Sequence, residues 1–348
     1  MNRWLSLDYY LQRLGGWYVL LIVGIAQIPT FIGALLGNLY VRHNAGFDPK
    51  ALVEISRYTP FLILATNLLL LALAWYLTPK ARLRLTDWTR NQLKANPDEE
   101  LAAWQEITAL SMRYGTGAIF ISYLVSILPT AVYYLYMDMT NVDQLVYSLL
   151  GGLASVLATT LIAVLIIDRF STPARLALVP RSFDAQLQGL SGARLTYKFL
   201  VLILILLAIS ILLLGPVGFH YTSMSLPGEN PSVRQAFQFE ATVVSLFTLI
   251  LGALLAYFIS RTVSVPLRDL IESFKAVEAG DLSQRATITA TDEIAEVTMH
   301  FNRMVASLEE LQGSLEKQVQ ERTRLLKATN DIAKVWRPFW IRMSCSQR

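Results

Sequence analysis

The sequence predicts an all-α protein: a polytopic membrane helical bundle of six transmembrane helices, then a parallel four-helix bundle formed by two chains, then a coiled-coil connector. Three observations carry this. Six charge-free apolar stretches of membrane-spanning length follow one another over residues 16–260. Beyond them, apolar residues recur at helical spacing on two short stretches separated by a connector. The 348 residues are 54% hydrophobic and only 16% charged, too little charge to cover a soluble domain of this size.

The apolar stretches are 16–40, 58–79, 114–137, 144–167, 199–219 and 241–260. Each is close to the roughly 20 residues a helix needs to cross a bilayer. Six buried core helices in one small chain would leave little polar surface, so the membrane reading wins. The run from Gly16 to Tyr40 exceeds the core of a cleavable signal, and no small-residue cleavage site follows it closely, so it reads as a retained span. Segments 1–15, 80–113 and 168–198 hold 13 Lys and Arg against 4 in the opposite segments. That asymmetry places both the N-terminus and the tail after Ser260 in the cytoplasm of a bacterial inner (plasma) membrane. The net charge of +4 is thereby assigned to loops facing anionic membrane lipid, and no nucleic-acid partner is implied. Trp17, Tyr18, Trp75, Tyr76, Tyr133, Tyr134 and Tyr136 lie near span ends, where interface anchors sit.

The spans form three hairpins over a membrane domain of residues 1–260. Their exits are related: Thr78-Pro79-Lys80-Ala81-Arg82-Leu83, Thr172-Pro173-Ala174-Arg175-Leu176 and Val265-Pro266-Leu267-Arg268-Asp269-Leu270. Proline suits the first turn of a new helix there, since it costs no hydrogen bond; a threefold repeat or ordinary span ends both explain the pattern. The largest outer segment, about 220–240, is too short for a folded sensor. Gln27 and Asn67 are the most conspicuous polar residues in the spans and predict an interhelical hydrogen bond rather than a ligand contact. Pro29 and Pro129 are candidate kinks.

From Arg261 charged and apolar residues interleave. Leu267, Leu270, Phe274 and Val277 fall at steps of 3, 4 and 3, an a/d stripe. Gly280-Asp281-Leu282 stops that helix. A connector follows whose only large apolar residues are Leu282 and Ile288. Thr291-Asp292-Glu293 supplies a cap and an acidic first turn. The second stripe runs Ile294, Val297, Phe301, Met304, Leu308, Leu311 and Leu315. Two such helices cannot bury their stripes within one chain, so a homodimer is expected. The layout of Pro266, Gly280-Asp281-Leu282, Asp292-Glu293-Ile294 and Phe301-Asn302-Arg303-Met304 closely resembles the HAMP linker of bacterial receptors, sensor kinases and membrane cyclases. The resemblance covers 261–311, the domain being drawn at 261–312, and implies that a displacement of the last span is converted into a change of bundle packing.

Helix propensity persists through Leu315, Val319 and Leu326, with a stutter in the heptad, as a coiled-coil signalling connector over 313–335. The stretch 336–348, with Trp336, Pro338 and Trp340, reads as an irregular tail. Back-translation of 336–348 allows another frame resembling the opening of a GAF domain, which implies a frameshift that truncates the chain before its output. The stretch from Glu321 to Ala333 likewise resembles connectors that lead into GAF domains of sensor histidine kinases.

No chemistry is expected of this chain: no catalytic residue, no cofactor and no metal. His300 lies on a helix flank without the acidic neighbour of a phosphoacceptor, and His43 and His220 are isolated. Gly151-Gly152 lacks the Lys of a phosphate loop. Cys345 is the single cysteine. The expected function is transmembrane signal transduction to a cytoplasmic output or partner, a histidine kinase with its response regulator before a nucleotide cyclase. The competing class is a small transporter or channel with a helical tail. The receptor reading predicts crosslinks between chains at Leu270 and Met304 and no substrate flux.

Overall fold

The computed structural model describes residues 7–44, 47, 49–91, 96–136, 142–179, 195–225, 231–288 and 293–345. They are helical throughout apart from turns and one connector. Two compact units emerge: residues up to Val265 with Ile288–Ala295, and Pro266–Thr287 with Glu296 onward.

The first unit opens with α1 (Leu7–Leu14), a single 3-10 turn (Gly15–Trp17) and α2 (Tyr18–Asn44). There follow α3 (Pro49–Leu77), α4 (Pro79–Thr89), α5 (Pro97–Ser122), a π turn (Tyr123–Ile127) and α6 (Leu128–Tyr136). Then come α7 (Val142–Phe170), α8 (Thr172–Ala177), α9 (Leu195–Ser225) and α10 (Pro231–Glu278). The last helix of the chain is α11 (Glu293–Cys345).

Among the described residues, six helical runs are long and apolar enough to cross a membrane, and they overlap the six apolar stretches in order. Two are much longer than those stretches: Pro97–Tyr136 and Phe237–Glu278. Charge marks where hydrocarbon ends, not where a helix ends. Pro97 sits at the first helical position of α5, and Asp98, Glu99 and Glu100 complement its N-terminal dipole. The same physics sorts the three exit prolines. Pro79 and Pro173 each open a new helix. Pro266 instead lies inside α10, which continues through it despite the missing N–H.

Helix α7 is the hub, packing on α2, α5 and α9. Its approach to α2 is close enough for Ser155 Oγ to donate to the carbonyl of Gly33 at 2.9 Å. On another side, Leu161, Val164 and Leu165 of α7 share an apolar cluster with Leu202 and Ile209 of α9 and Leu251 and Leu255 of α10. The expected bond in the spans is present: Gln27 Nε2 donates to the main-chain carbonyl of Asn67 at 3.0 Å.

One end of this bundle is charged and tightly paired. Asp168, at the end of α7, accepts from Lys198 Nζ at 3.2 Å and faces Arg175 Nη1 at 3.7 Å. Ser111 of α5 approaches the same carboxylate at 3.4 Å, and Tyr18 Oη donates to the carbonyl of Phe170 at 2.8 Å. Arg84 of α4 and Glu100 of α5 form a second buried pair. The 3-10 turn docks on α4: Gly16 N–H donates to Thr86 Oγ1 at 3.2 Å, and a Cβ at Gly16 would collide with the carbonyl of Arg82. Beside it the Arg82 guanidinium covers the Trp75 ring at 3.3 Å, and Trp75 meets Trp17 with centroids 5.3 Å apart.

The expected irregular tail is corrected. The backbone is helical to Cys345. Trp, Phe, Ile, Met and Arg are all tolerated in helices, and a lone Pro338 removes one ladder bond without ending the run. Residues 346–348 lie outside the described residues.

Two outcomes follow from these contacts. Gly16→Val overpacks the contact with α4 and lowers unfolding free energy by about 1–3 kcal/mol, read as a fall in the melting midpoint of detergent-solubilised protein. Asp168→Asn strands two cations, a loss on the order of 3 kcal/mol. The triple variant Asp168→Leu, Arg175→Met, Lys198→Met recovers most of it in the same assay.

Candidate functional site

The second unit is built from the last turns of α10, the connector up to Thr287 and α11 from Glu296 onward. Helix α10 ends in a Schellman motif. Gly280 takes φ +95°, its N–H donates to the carbonyl of Val277 at 3.0 Å, and Asp281 N–H donates to that of Ala276 at 3.0 Å. Only glycine enters that conformation without steric cost, so the stop read at Gly280-Asp281-Leu282 has a backbone cause. The Asp281 carboxylate then accepts from Ser283 Oγ at 2.6 Å, Ser283 N–H at 3.1 Å and Gln284 Nε2 at 3.3 Å. The Ser283 hydroxyl first, then its amide, holds the Asp281 carboxyl below its ordinary range. The turn's contribution is therefore present above the ordinary aspartate pKa and is lost as pH falls through the lowered one.

The connector is extended and lacks a ladder of its own, so its buried amides need side-chain partners. Asn302 supplies them. Its Oδ1 accepts from Ala286 N–H at 2.8 Å and its Nδ2 donates to the Ala286 carbonyl at 3.0 Å. Arg285 adds a bond to Glu309 Oε2 at 2.6 Å, half exposed and so worth little. Around Asn302 lies a small core of Leu270, Ala286, Phe301 and Val305, with Val277 against it. The Phe274 and Phe301 rings meet at a centroid separation of 4.2 Å.

The residues read as a relay divide into two sets. Leu270 and Phe301 are buried, Val277 partly, Ile288 is buried and assigned to the first unit, and Leu282 and Ile294 are half-buried. Leu267, Phe274, Val297, Met304 and Leu308 remain 41–53% exposed, and the exposed apolar stripe continues to Leu311 and Leu315. Pro266 lies within α10. Glu293 Oε2 accepts from Leu195 N–H, the first residue of α9, at 2.7 Å. Thr291 and Asp292, the expected cap, lie outside the described residues.

Sequence reasoning missed Ala286 and Val305, both buried. Val305 and Thr298 each lie one position beyond a member of the predicted α11 stripe, Met304 and Val297, and share Phe301 with it at steps of 3 and 4. An alanine in a polar connector carried no signal. Its partner Asn302, read as part of a motif, did.

Residues 258–310 match the family model described as HAMP domain. Methyl-accepting chemotaxis protein McpC of Bacillus subtilis is 41% identical over 68 residues, 20% of this chain and 10% of that protein. Methyl-accepting chemotaxis protein McpQ of Pseudomonas putida is 31% identical over 97 residues, 27% of this chain and 15% of that protein. Sensor protein kinase WalK of Staphylococcus aureus is 30% identical over 87 residues, 25% and 14% respectively. The similarity thus spans 10% to 15% of each of these relatives' length. No solved structure matches. The described residues thus hold six helices long and apolar enough to cross a membrane, and the last of them runs into a segment that matches the HAMP domain.

Proposed function

We propose that two copies of this chain pair through the exposed stripe of Leu267, Phe274, Val297, Met304 and Leu308, and that the pair relays movement of the sixth span to a cytoplasmic output. The stripe carries this reading: half-exposed Leu, Phe, Val and Met at heptad spacing gain from removal from water. The adjacent face of α11, through Phe301 and Val305, is already filled by Leu270 of α10 and Ala286 of the connector. The second copy therefore takes the exposed face, giving a parallel four-helix bundle with the two connectors outside.

The input side is the continuity of α10 from Pro231 to Glu278. A displacement of the sixth span reaches the stripe that begins at Leu267 through this helix, which contains Pro266. Packed interfaces repack between discrete arrangements, so such a displacement selects between bundle states. The positive-inside asymmetry supports a cytoplasmic relay in an inner membrane. On the output side, the stripe extends along α11 to Leu315 and Val319 as a signalling coil. Similarity to a sensor protein kinase favours a histidine kinase and response regulator, on this polypeptide or a partner. Similarity to methyl-accepting chemotaxis proteins supports a chemoreceptor-type output as the second reading.

Single cysteines in a Cys345→Ser background test the pairing. Cysteine at Met304 or Leu267 gives disulfide-linked dimers in native membranes, whereas cysteine at Val305, fully buried within its own chain, gives at least tenfold less. Equal yields at all three positions, or none, sink the proposal. Leu270, also buried, behaves as Val305 does. Asn302→Leu removes both bonds to Ala286 at a cost of about 1–3 kcal/mol for each stranded group. It speeds hydrogen exchange at Ala286 and tryptic cleavage after Arg285, while the membrane helices keep their protection.

A further inference from the structure

A cavity of about 200 Å³ lies within the first unit, among α2, α3, α5 to α6 and α7. Its walls differ from those of a packing void. Thirteen of its 24 lining residues carry a neutral hydroxyl, phenol or amide, and none is Asp, Glu, Lys, Arg or His. Buried polar groups in hydrocarbon are costly unless they have partners. A dense set of them around one space marks a place where something polar is accommodated.

The orientation of these groups selects the chemistry. A hydroxyl has one proton to give and two lone pairs to accept with. Thr59 donates to the carbonyl of Ile55 at 2.7 Å, Ser148 to Gln144 at 2.8 Å and Thr159 to Ser155 at 2.9 Å. One Asn67 Nδ2 proton goes to Ile63 at 2.9 Å, and Thr66 Oγ1 is shared between the carbonyl of Leu62 at 2.8 Å and Ser126 at 2.9 Å. With these protons committed to the helices, the groups have acceptor capacity left. The π turn adds to this. Leu128 N–H reaches back to Tyr123, next to Pro129, which has no N–H to give, and the widened turn lies where Ser122, Ser126 and Thr130 line the same cavity. Such turns are frequent at functional sites.

We infer that this cavity binds a small uncharged hydroxyl compound, an alcohol or phenol, that donates its proton to the acceptor-rich wall and rests its apolar part against Ile63, Leu70 and Val156. Absence of charge excludes carboxylates, phosphates and ammonium groups as preferred ligands. The small space, about 200 Å³, favours a compact compound over a two-chain lipid. The compound partitions into the bilayer and enters from there. This assigns a stimulus class to the proposed relay, and binding is read without any crosslink, so either idea can fail alone.

The experiment uses the full chain in nanodiscs, with 4-fluorophenol as donor probe and 4-fluoroanisole as its donor-less counterpart, followed by the fluorine line width. Empty nanodiscs set the partitioning background. The expected result is saturable broadening by the phenol, at least fivefold stronger than by the anisole. Ser126→Leu and Ser148→Leu fill the cavity and abolish it, while each keeps a cooperative thermal transition. Thr66→Val removes one acceptor without filling space and weakens binding severalfold, which keeps the test decisive if a leucine variant fails to fold. Broadening equal for the two probes, unsaturable as in empty discs, or undiminished in the folded variants overturns the inference and leaves a cavity that holds water only.

Discussion

A polar group inside a bilayer, or beneath a connector that has left its helix, has no water to fall back on, and both units of this chain are arranged around that shortage. In the spans, serine and threonine satisfy their protons on the preceding helical turn, as Thr59, Thr66, Ser148 and Thr159 do. Where helices come close enough the bond crosses between them, from Ser155 to Gly33 and from Gln27 to Asn67. In the second unit one side chain, Asn302, closes both backbone groups of Ala286. Each solution costs little side-chain entropy, because the donor is held by a helix already formed. In Asn302 both ends of the amide are engaged, and the hydroxyls around the membrane cavity keep unspent lone pairs.

The charged end of the bundle obeys the same rule at higher stakes. Asp168 is paired with two cations and approached by a hydroxyl, and Arg84 meets Glu100. Pairs this deep contribute little net stability against an apolar alternative, yet breaking one is expensive. They fix which helices meet: Asp168 gathers α5, α7, α8 and α9, and the Arg84 pair joins α4 to α5.

How far the residues alone could carry the reading depended on whether a feature was local. The six spans were legible because each is a run of one chemical type. The stop at Gly280 was legible because a left-handed residue needs glycine. The stripes were legible as periodicity, but periodicity does not distinguish two adjacent apolar faces. The stripe through Met304 and the one through Thr298 and Val305 differ by a single step, about 100° around the helix, and only packing assigns the second to the chain's own core. Helix ends were poorly legible where propensity continues past the apolar run, as at Pro97, Pro266 and Trp336. The cavity left no trace at all. Serines and threonines scattered over four spans look like ordinary small residues until the fold brings them together.

Helix α7 gives the two proposals a common physical basis. One side of it carries Ser148, Ser155 and Thr159, which line the cavity; another carries Leu161, Val164 and Leu165, which pack against Leu251 and Leu255 of α10. A ligand that rotates or tilts α7 changes the surface on which the sixth span rests. Binding alone does not suffice, since a ligand equally at home in both arrangements shifts nothing however tightly it holds. Moving a bundle from 1:99 to 99:1 needs about 5.5 kcal/mol of differential affinity. A ligand of about eight heavy atoms would need about 0.7 kcal/mol of differential affinity from each, more than twice the roughly 0.3 typical of larger ligands. The demand falls if the resting populations are nearly balanced. A small stimulus thus requires a relay poised close to its midpoint, and the loosely held outward stripe, rather than the filled core around Asn302, is where such a balance resides.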